Sequence, residues 1–370
     1  MININADISS ANSFGSGISV FENEIITRLA QNPNFSIVGC TNYNRKNRKD
    51  DYARFNFKLQ YSIIPHRVVY NHRMPFSYEM MMGQADVNLF CTYSLPKVIY
   101  KAPVISTIHD IILQKANSEK PEIIRAYDDK VRYAISVSDH IITVSNATKQ
   151  DLIEYYNLRP EDITVVYNGV DYGRFNQMIT DDELNAVRSK YGLPDKFFVY
   201  FGGVRKHKNL ERLITAYSLL SAKIREEYKL VITKQDKGLI ELAKKLGIEE
   251  TVHFTTFIDE EDKVAIYQLA FASIFISLYE GFGIPIIESM GACTPVITSN
   301  TSSMPEAAGD AAILVDPYSE AEISAAMLQL IEDKGLYEKL VVKGTANAKR
   351  FSWDESAKTV EAVIHRITNK

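Results

Sequence analysis

Ser277-Leu-Tyr-Glu280-Gly-Phe-Gly-Ile-Pro285-Ile-Ile-Glu288-Ser-Met290 is the stretch whose reading decides the fold. It continues the apolar run Ile274–Leu278, which reads as a buried strand. Gly281 and Gly283 then permit a tight turn and a close backbone approach. Pro285 suits the first turn of a helix, where its missing N–H costs nothing. A strand that turns directly into a helix is half of a crossover unit, the building block of parallel α/β sheets. In such sheets ligands bind beyond the carboxyl ends of the strands, where this loop lies. The backbone of Gly281, Phe282, Gly283 and Ile284 leads into the helix N-terminus, whose unpaired N–H groups offer a seat for a phosphate. Glu280 and Glu288 would be repelled by that phosphate. As acceptors of hydrogen bonds from sugar hydroxyls they make sense.

The same alternation runs outward in both directions. Strand-like runs occur at Ile2–Ile4, Ser36–Val38, Val87–Phe90, Val104–Thr107, His140–Val144 and Ile163–Val166. A second series follows at Phe197–Phe201, Lys229–Ile232, Val252–Phe254, Ile274–Leu278, Pro295–Thr298 and Ala312–Val315. Helix-length segments separate them, with Ile124, Tyr127, Val131 and Ala134 on one face, and Leu210, Leu213, Ile214 and Tyr217 on another. Two series predict two doubly wound α/β domains. The polar stretch 176–183 sets the boundary, so residues 1–177 and 178–351 are the expected domains. The last helix, 352–370, carries Ala357, Val360, Ile364 and Ile367 on one face and needs a partner surface.

Composition narrows the class. The chain has 370 residues, 46% hydrophobic and 24% charged, enough apolar material for two cores and too much for disorder. A net charge of −4 gives no global field toward nucleic acid. Cys40, Cys91 and Cys293 are too scattered for a disulfide framework or a zinc cluster. No run approaches the ~20 apolar residues of a membrane span, and the N-terminus lacks the pattern of a signal peptide. A cytoplasmic, reduced protein that needs no metal or other cofactor is expected.

Three further strand ends carry candidate chemistry. Gly202-Gly-Val-Arg205-Lys206-His-Lys208-Asn209 joins strand to helix with glycines and cations, which suits a diphosphate and equally a solvated basic turn. Phe14-Gly15-Ser-Gly17 opens a helix with Phe21, Ile25 and Leu29 on one face, but lacks the third glycine of a dinucleotide fingerprint. His109-Asp110 ends a strand, where a histidine can bond a ligand hydroxyl or serve structure alone. Ser145 reads as a helix cap.

Together these segments resemble the family-4 retaining glycosyltransferases of the GT-B fold, over most of the chain. The resemblance rests on Gly15-Ser-Gly17, His109-Asp110, Ser145-Asn, Asn168-Gly-Val-Asp171, Phe201-Gly-Gly-Val, Lys208-Asn-Leu and Glu280-x7-Glu288. It extends through Gly291-Ala-Cys-Thr-Pro295-Val, Ser303-Met-Pro305-Glu306-Ala-Ala-Gly309-Asp-Ala-Ala and Phe351-Ser-Trp353. It implies two Rossmann-like domains facing a cleft, with the last helix returning to the first domain. It implies that Glu280 lies at the donor sugar, that Glu288 binds the nucleotide ribose, and that Lys208 meets the diphosphate with Arg205 or Lys206 as partner. Gly17 would approach the diphosphate and His109 the transferred sugar. The nucleotide sugar is then a substrate, and no divalent metal is needed.

The run 279–317 is similar to bacterial surface-polysaccharide mannosyltransferases, so GDP-mannose is the expected donor, with a UDP-sugar as alternative. The acceptor is expected to be a glycan or a lipid-linked glycan. A sugar-nucleotide epimerase, a phosphorylase and a nucleotide-sugar-binding partner subunit are the competing readings. Residues 41–82 carry no family motif. They are strand-poor and hold Arg45, Lys46, Arg48 and Lys49, followed by Arg54, Lys58, Pro75, Phe76, Tyr78 and Met80–Met82. Cations beside adaptable apolar side chains suit the acceptor side and a peripheral contact with an anionic membrane surface, and equally a solvated loop followed by an ordinary core helix.

Overall fold

The computed structural model describes residues 1–11, 17–42, 52, 55–116 and 120–369. The chain divides into two compact units, Met1–Asn168 with Trp353–Lys370, and Gly169–Ser352. The division falls after Asn168 rather than after 177. A Cβ on Gly291 would stand 3.1 Å from Phe175 and 3.7 Å from Val170, so the intervening stretch packs with the second unit.

Among the described residues the first unit holds seven strands: β1 (Ile2–Asp7), β2 (Phe35–Asn42), β3 (Lys58–Ser62), β4 (Val87–Phe90), β5 (Val104–Thr107), β6 (His140–Thr143) and β7 (Ile163–Val165). They pair in the order β3-β2-β1-β4-β5-β6-β7, every pairing parallel. The second unit holds β8 (Phe197–Tyr200), β9 (Lys229–Ile232), β10 (Val252–Phe254), β11 (Ala272–Phe275), β12 (Val296–Ser299) and β13 (Ile313–Val315). Their order is β10-β9-β8-β11-β12-β13, again all parallel. Both are doubly wound sheets. Strand order reverses between β1 and β4 in one and between β8 and β11 in the other, and a crevice opens at such a reversal. The central strands β4, β5, β8, β11 and β12 are buried along their whole length, as parallel strands covered by helices on both faces must be.

The helical faces read from periodicity are the buried ones. Tyr127, Val131 and Ala134 face inward from the helix Pro121–Val137, and Leu210, Leu213, Ile214 and Tyr217 from Leu210–Ser218. The final helix, Trp353–Thr368, buries Ala357, Val360, Ile364 and Ile367. Its partner surface is the helix Gly17–Leu29. Trp353 meets Phe21 edge-on at 6.2 Å, and Arg28 donates to Asp354 at 2.6 Å. Burying each large aliphatic side chain contributes about 1.5–3 kcal/mol, far more than the surface ion pair beside it.

Residues 41–82 depart from the sequence expectation. The segment supplies the edge strand β3, whose Lys-Leu-Gln-Tyr-Ser sequence lacks an apolar alternation because a sheet edge is only half covered. Tyr78 and Met82 are core residues, packed with Phe90, Val98 and Val104, which fits the reading of an ordinary core helix and not that of adaptable surface. In the helix Tyr78–Met82, Met80 is the methionine that faces out. Arg45, Lys46, Arg48, Lys49 and Arg54 lie outside the described residues.

Candidate functional site

In the second unit the loops after β8 and β11, the two strands flanking the reversal, are bound together. Leu278 N–H donates to the His207 carbonyl at 2.7 Å. Asn209, buried and in the left-handed region at φ 62°, donates its side-chain amide to the carbonyls of Ile276 (3.1 Å) and Pro317 (2.6 Å). Asparagine tolerates that backbone and its amide satisfies two buried carbonyls, so one residue ends the turn Lys206–Lys208 and clamps it to the β11 side.

The clamp sets Lys208. Its ammonium lies 2.6 Å from Glu280 Oε1 and 5.0 Å from the centre of the Phe275 ring, with both charged side chains mostly covered, at 17% and 14% exposure. Arg205 and Lys206 lie at the surface on the same turn. His207, between Lys206 and Lys208, is pushed down to about 4 by burial, so it is neutral near pH 7 despite Glu280 nearby. The Tyr200 hydroxyl donates to the Gly203 carbonyl at 2.9 Å. A Cβ on Gly202 would stand 2.6 Å from that hydroxyl, at a φ of 152°.

Glu280 is held from the other side by a row of hydroxyls. Ser302 and Ser303 reach the Glu280 carbonyl at 2.8 and 2.9 Å, and Ser303 also the Phe282 carbonyl at 2.9 Å. Thr301 donates to Leu278, Ser299 to Ser277 and Thr298 to Phe275. Hydroxyls from β12 and the turn after it therefore bond the carbonyls of Phe275, Ser277, Leu278, Glu280 and Phe282 from the end of β11 onward. Sequence reading placed Thr298 in a strand and Ser303 at the start of a family motif but gave none of these hydroxyls a role. The signal was the hydroxyl-rich Thr298-Ser-Asn-Thr-Ser-Ser303, which reads as an ordinary loop until a neighbouring strand is known.

The helix Ile284–Gly291 starts at Gly283, whose φ of 108° is open to glycine and whose Cβ would meet Ile286 at 2.9 Å. Gly281 and Phe282 are buried, and Phe282 packs edge-on against Phe351 at 5.3 Å. What Phe282 can offer a ligand is backbone, since its ring belongs to the core. Glu288 projects from the same helix with its side chain 9% exposed. Lys263 bonds its Oε1 at 2.6 Å and the Tyr267 hydroxyl its Oε2 at 3.2 Å. Sequence reading singled out Glu288 but not these two partners, which arrive from a helix between β10 and β11.

The first unit carries its own group of strand-end residues. His109 follows β5, is buried, and donates from Nε2 to the Cys91 carbonyl at 2.9 Å. A carbonyl can only accept, so Nδ1 carries the lone pair. Burial pushes His109 down to about 4, and it stays neutral. Phe21 packs edge-on to it at 5.2 Å. Gly17 is the exposed first residue of the helix that carries Phe21, while Gly15 lies outside the described residues. Asp7, ending β1 beside the reversal, is a buried carboxyl that sequence reading missed. Its oxygens accept from Ser9 N–H and Oγ at 3.1 Å, and burial raises it to about 6. Ser145 accepts from Thr148 N–H at 3.0 Å as a helix cap. Among the described residues no group of three His, Cys, Asp or Glu side chains could hold a metal ion, and no helix is long and apolar enough to cross a membrane.

Two family models between them match most of the chain. "Glycosyltransferase Family 4" matches residues 16–174 and "Glycosyl transferases group 1" residues 183–347. The O-antigen chain mannosyltransferase B of Escherichia coli is 28% identical over 277 residues, covering 73% of this chain and 72% of that protein. The serotype-specific mannosyltransferase WbdA of Escherichia coli is 28% identical over 276 residues, 72% of this chain but 34% of WbdA, so the match spans about a third of that relative. Among solved structures, Anabaena HepE in complex with UDP and glucose superimposes with a TM-score of 0.76 at 15% identity, over 99% of this chain and 100% of HepE. With two doubly wound parallel sheets, paired acidic and basic groups at the reversal of the second, and a family match on each half, the chain belongs to glycosyltransferase family 4, a retaining family, and has the GT-B fold.

Proposed function

We propose that the protein transfers a hexose, with retention, from a nucleotide-diphosphate sugar to a glycan or lipid-linked glycan during surface-polysaccharide synthesis, and that the donor is GDP-mannose. The observation that carries this reading is the pair of carboxylates at the β8–β11 reversal, each held by its own lysine: Glu280 by Lys208 and Glu288 by Lys263. A carboxylate whose charge is balanced can sit beside a diphosphate and still accept from sugar hydroxyls. The two mannosyltransferase relatives support mannose as the sugar.

In this reading Lys208, with Arg205 on the same turn, stabilises charge building on the departing diphosphate, aided by the N–H groups opening Ile284–Gly291. Gly17, Gly281 and Gly283 let backbone approach the donor. The anomeric carbon gains oxocarbenium character. The acceptor oxygen attacks on the face the phosphate leaves, and the leaving phosphate oxygen takes the acceptor proton. Glu280 accepts from the transferred sugar and Glu288 from the ribose. His109 offers its neutral Nδ1 to a sugar hydroxyl. Electrophilic assistance comes from these cations and N–H groups, so turnover needs no divalent metal.

Thermal-shift titration with GDP-mannose, UDP-glucose and ADP-glucose tests the donor, because a ligand stabilises the fold by mass action. GDP-mannose is expected to raise the melting temperature most. A larger shift with UDP-glucose would replace the donor, and none with any of the three would remove the reading. An epimerase would scramble the donor sugar without acceptor, whereas a transferase leaves it intact.

Peripheral membrane contact through residues 41–82 is supported by Ile63 and Met80, 95% and 70% exposed, and by the exposed Arg67 and Arg73 of the same stretch. Cations near an anionic leaflet gain about 1 kcal/mol each. Wild type should pellet with phosphatidylserine vesicles at low salt, and a variant with Arg45, Lys46, Arg48 and Lys49 changed to Ser should pellet less. Equal pelleting would rule the basic stretch out.

A further inference from the structure

We infer that Lys263 positions Glu288 for ribose recognition, with Tyr267 as second support, so that the protein's preference for ribonucleotides is set on a helix that carries neither of the two paired glutamates. The inference rests on the proposed ribose role of Glu288. Lys263 and Tyr267 are four residues apart on the helix Lys263–Leu269, hence one turn apart on the same face. They meet opposite oxygens of one carboxylate, the ammonium at Oε1 (2.6 Å) and the hydroxyl at Oε2 (3.2 Å). Two donors from one rigid helix fix both the rotation and the tilt of the carboxylate plane.

A carboxylate has about four acceptor positions, so two remain for the adjacent hydroxyls of a ribose. The charge argument points the same way. Glu288 is nearly buried, and a nucleoside diphosphate brings more negative charge close to it. An uncompensated buried anion there would oppose binding, and Lys263 is the cation in direct contact. Lys263 is itself held in place. Its ammonium lies 5.7 Å from the centre of the Phe201 ring and 3.9 Å from Glu260. Tyr267 packs on Phe201 at 4.9 Å, so its hydroxyl cannot swing away from Glu288 without disturbing that contact.

Lys263 touches no reacting atom in this scheme. Its loss should raise the donor KM and leave kcat within about threefold, the pattern of lost ground-state binding. The discriminating measurement is calorimetric affinity for GDP and UDP, each against its 2′,3′-dideoxy analogue. Wild type should prefer the ribonucleotide by about tenfold or more, the value of one to two good hydrogen bonds. Lys263→Met should reduce that preference to about threefold or less, Lys263→Arg should restore most of it, and Tyr267→Phe should fall between. If Lys263→Met melts below the assay temperature, Lys263→Gln, which keeps a donor on a neutral chain, carries the test with the same expected loss. A wild-type preference that survives in both variants overturns the role of Lys263 and leaves the ribose assignment of Glu288 standing. A wild type without preference overturns the ribose assignment and this inference with it.

Discussion

Removing one member of the Lys208–Glu280 pair should cost more than removing both. At 2.6 Å two unit charges attract by about 1.6 kcal/mol at the dielectric of water and about 6 kcal/mol at an effective value of 20. The side chains are 17% and 14% exposed, so desolvation offsets part of this, and a coupling of about 2 kcal/mol is expected. Lys208→Met leaves a mostly covered, unpaired carboxylate, and Glu280→Gln leaves an unpaired ammonium. For a unit of this size each kcal/mol moves the melting temperature by about 2–4 °C, so each single change should lower it by about 4–8 °C. The double variant replaces the pair by two neutral side chains of similar volume and should melt within about 2 °C of wild type. Transfer should fall more than tenfold in all three, because both groups belong to the proposed donor machinery. Scanning calorimetry read beside a radiolabelled transfer assay separates the two effects. If the double variant loses the sum of the two singles, the groups are uncoupled and the pair is not the electrostatic unit described.

Gly202→Ala should lower the melting temperature and weaken nucleotide binding, at about 1–3 kcal/mol, because its Cβ would stand 2.6 Å from the buried Tyr200 hydroxyl; unchanged calorimetry would mean the ring moves freely. Asp7, held near 6 by burial, keeps a proton between about pH 4 and 6 that the unfolded chain releases, so its contribution to stability is lost as pH rises through that window. Asp7→Asn should therefore gain on wild type from pH 4 to 6, by up to about 3 kcal/mol, and level off above; a difference flat with pH would refute the burial argument. Turnover should be unchanged after dialysis against EDTA, and activity lost to chelator and restored by magnesium or manganese would overturn the metal-free mechanism.

Much was legible in the linear chain because its signals are local. Apolar runs of strand length, glycines and proline at strand ends, and helical stripes such as Leu210-Leu213-Ile214-Tyr217 report burial and backbone geometry that neighbouring residues determine among themselves. Twelve strands could be read that way, and so could the loop Glu280–Gly283. The missed strand β3 has no such pattern, since its pairing with β2 at the sheet edge makes it a strand and its side chains do not. The electrostatic environment of the site was likewise invisible. Lys208 and Glu280 are 72 positions apart, Lys263 and Glu288 are 25, and Ser303 supports Glu280 from another strand's turn. Sequence named Lys208, Glu280 and Glu288 but not Lys263, and which cation meets which carboxylate depends on strand order, which is set by packing over the whole sheet. The same holds for Asp7 and His109, whose protonation follows from the depth at which the finished core encloses them.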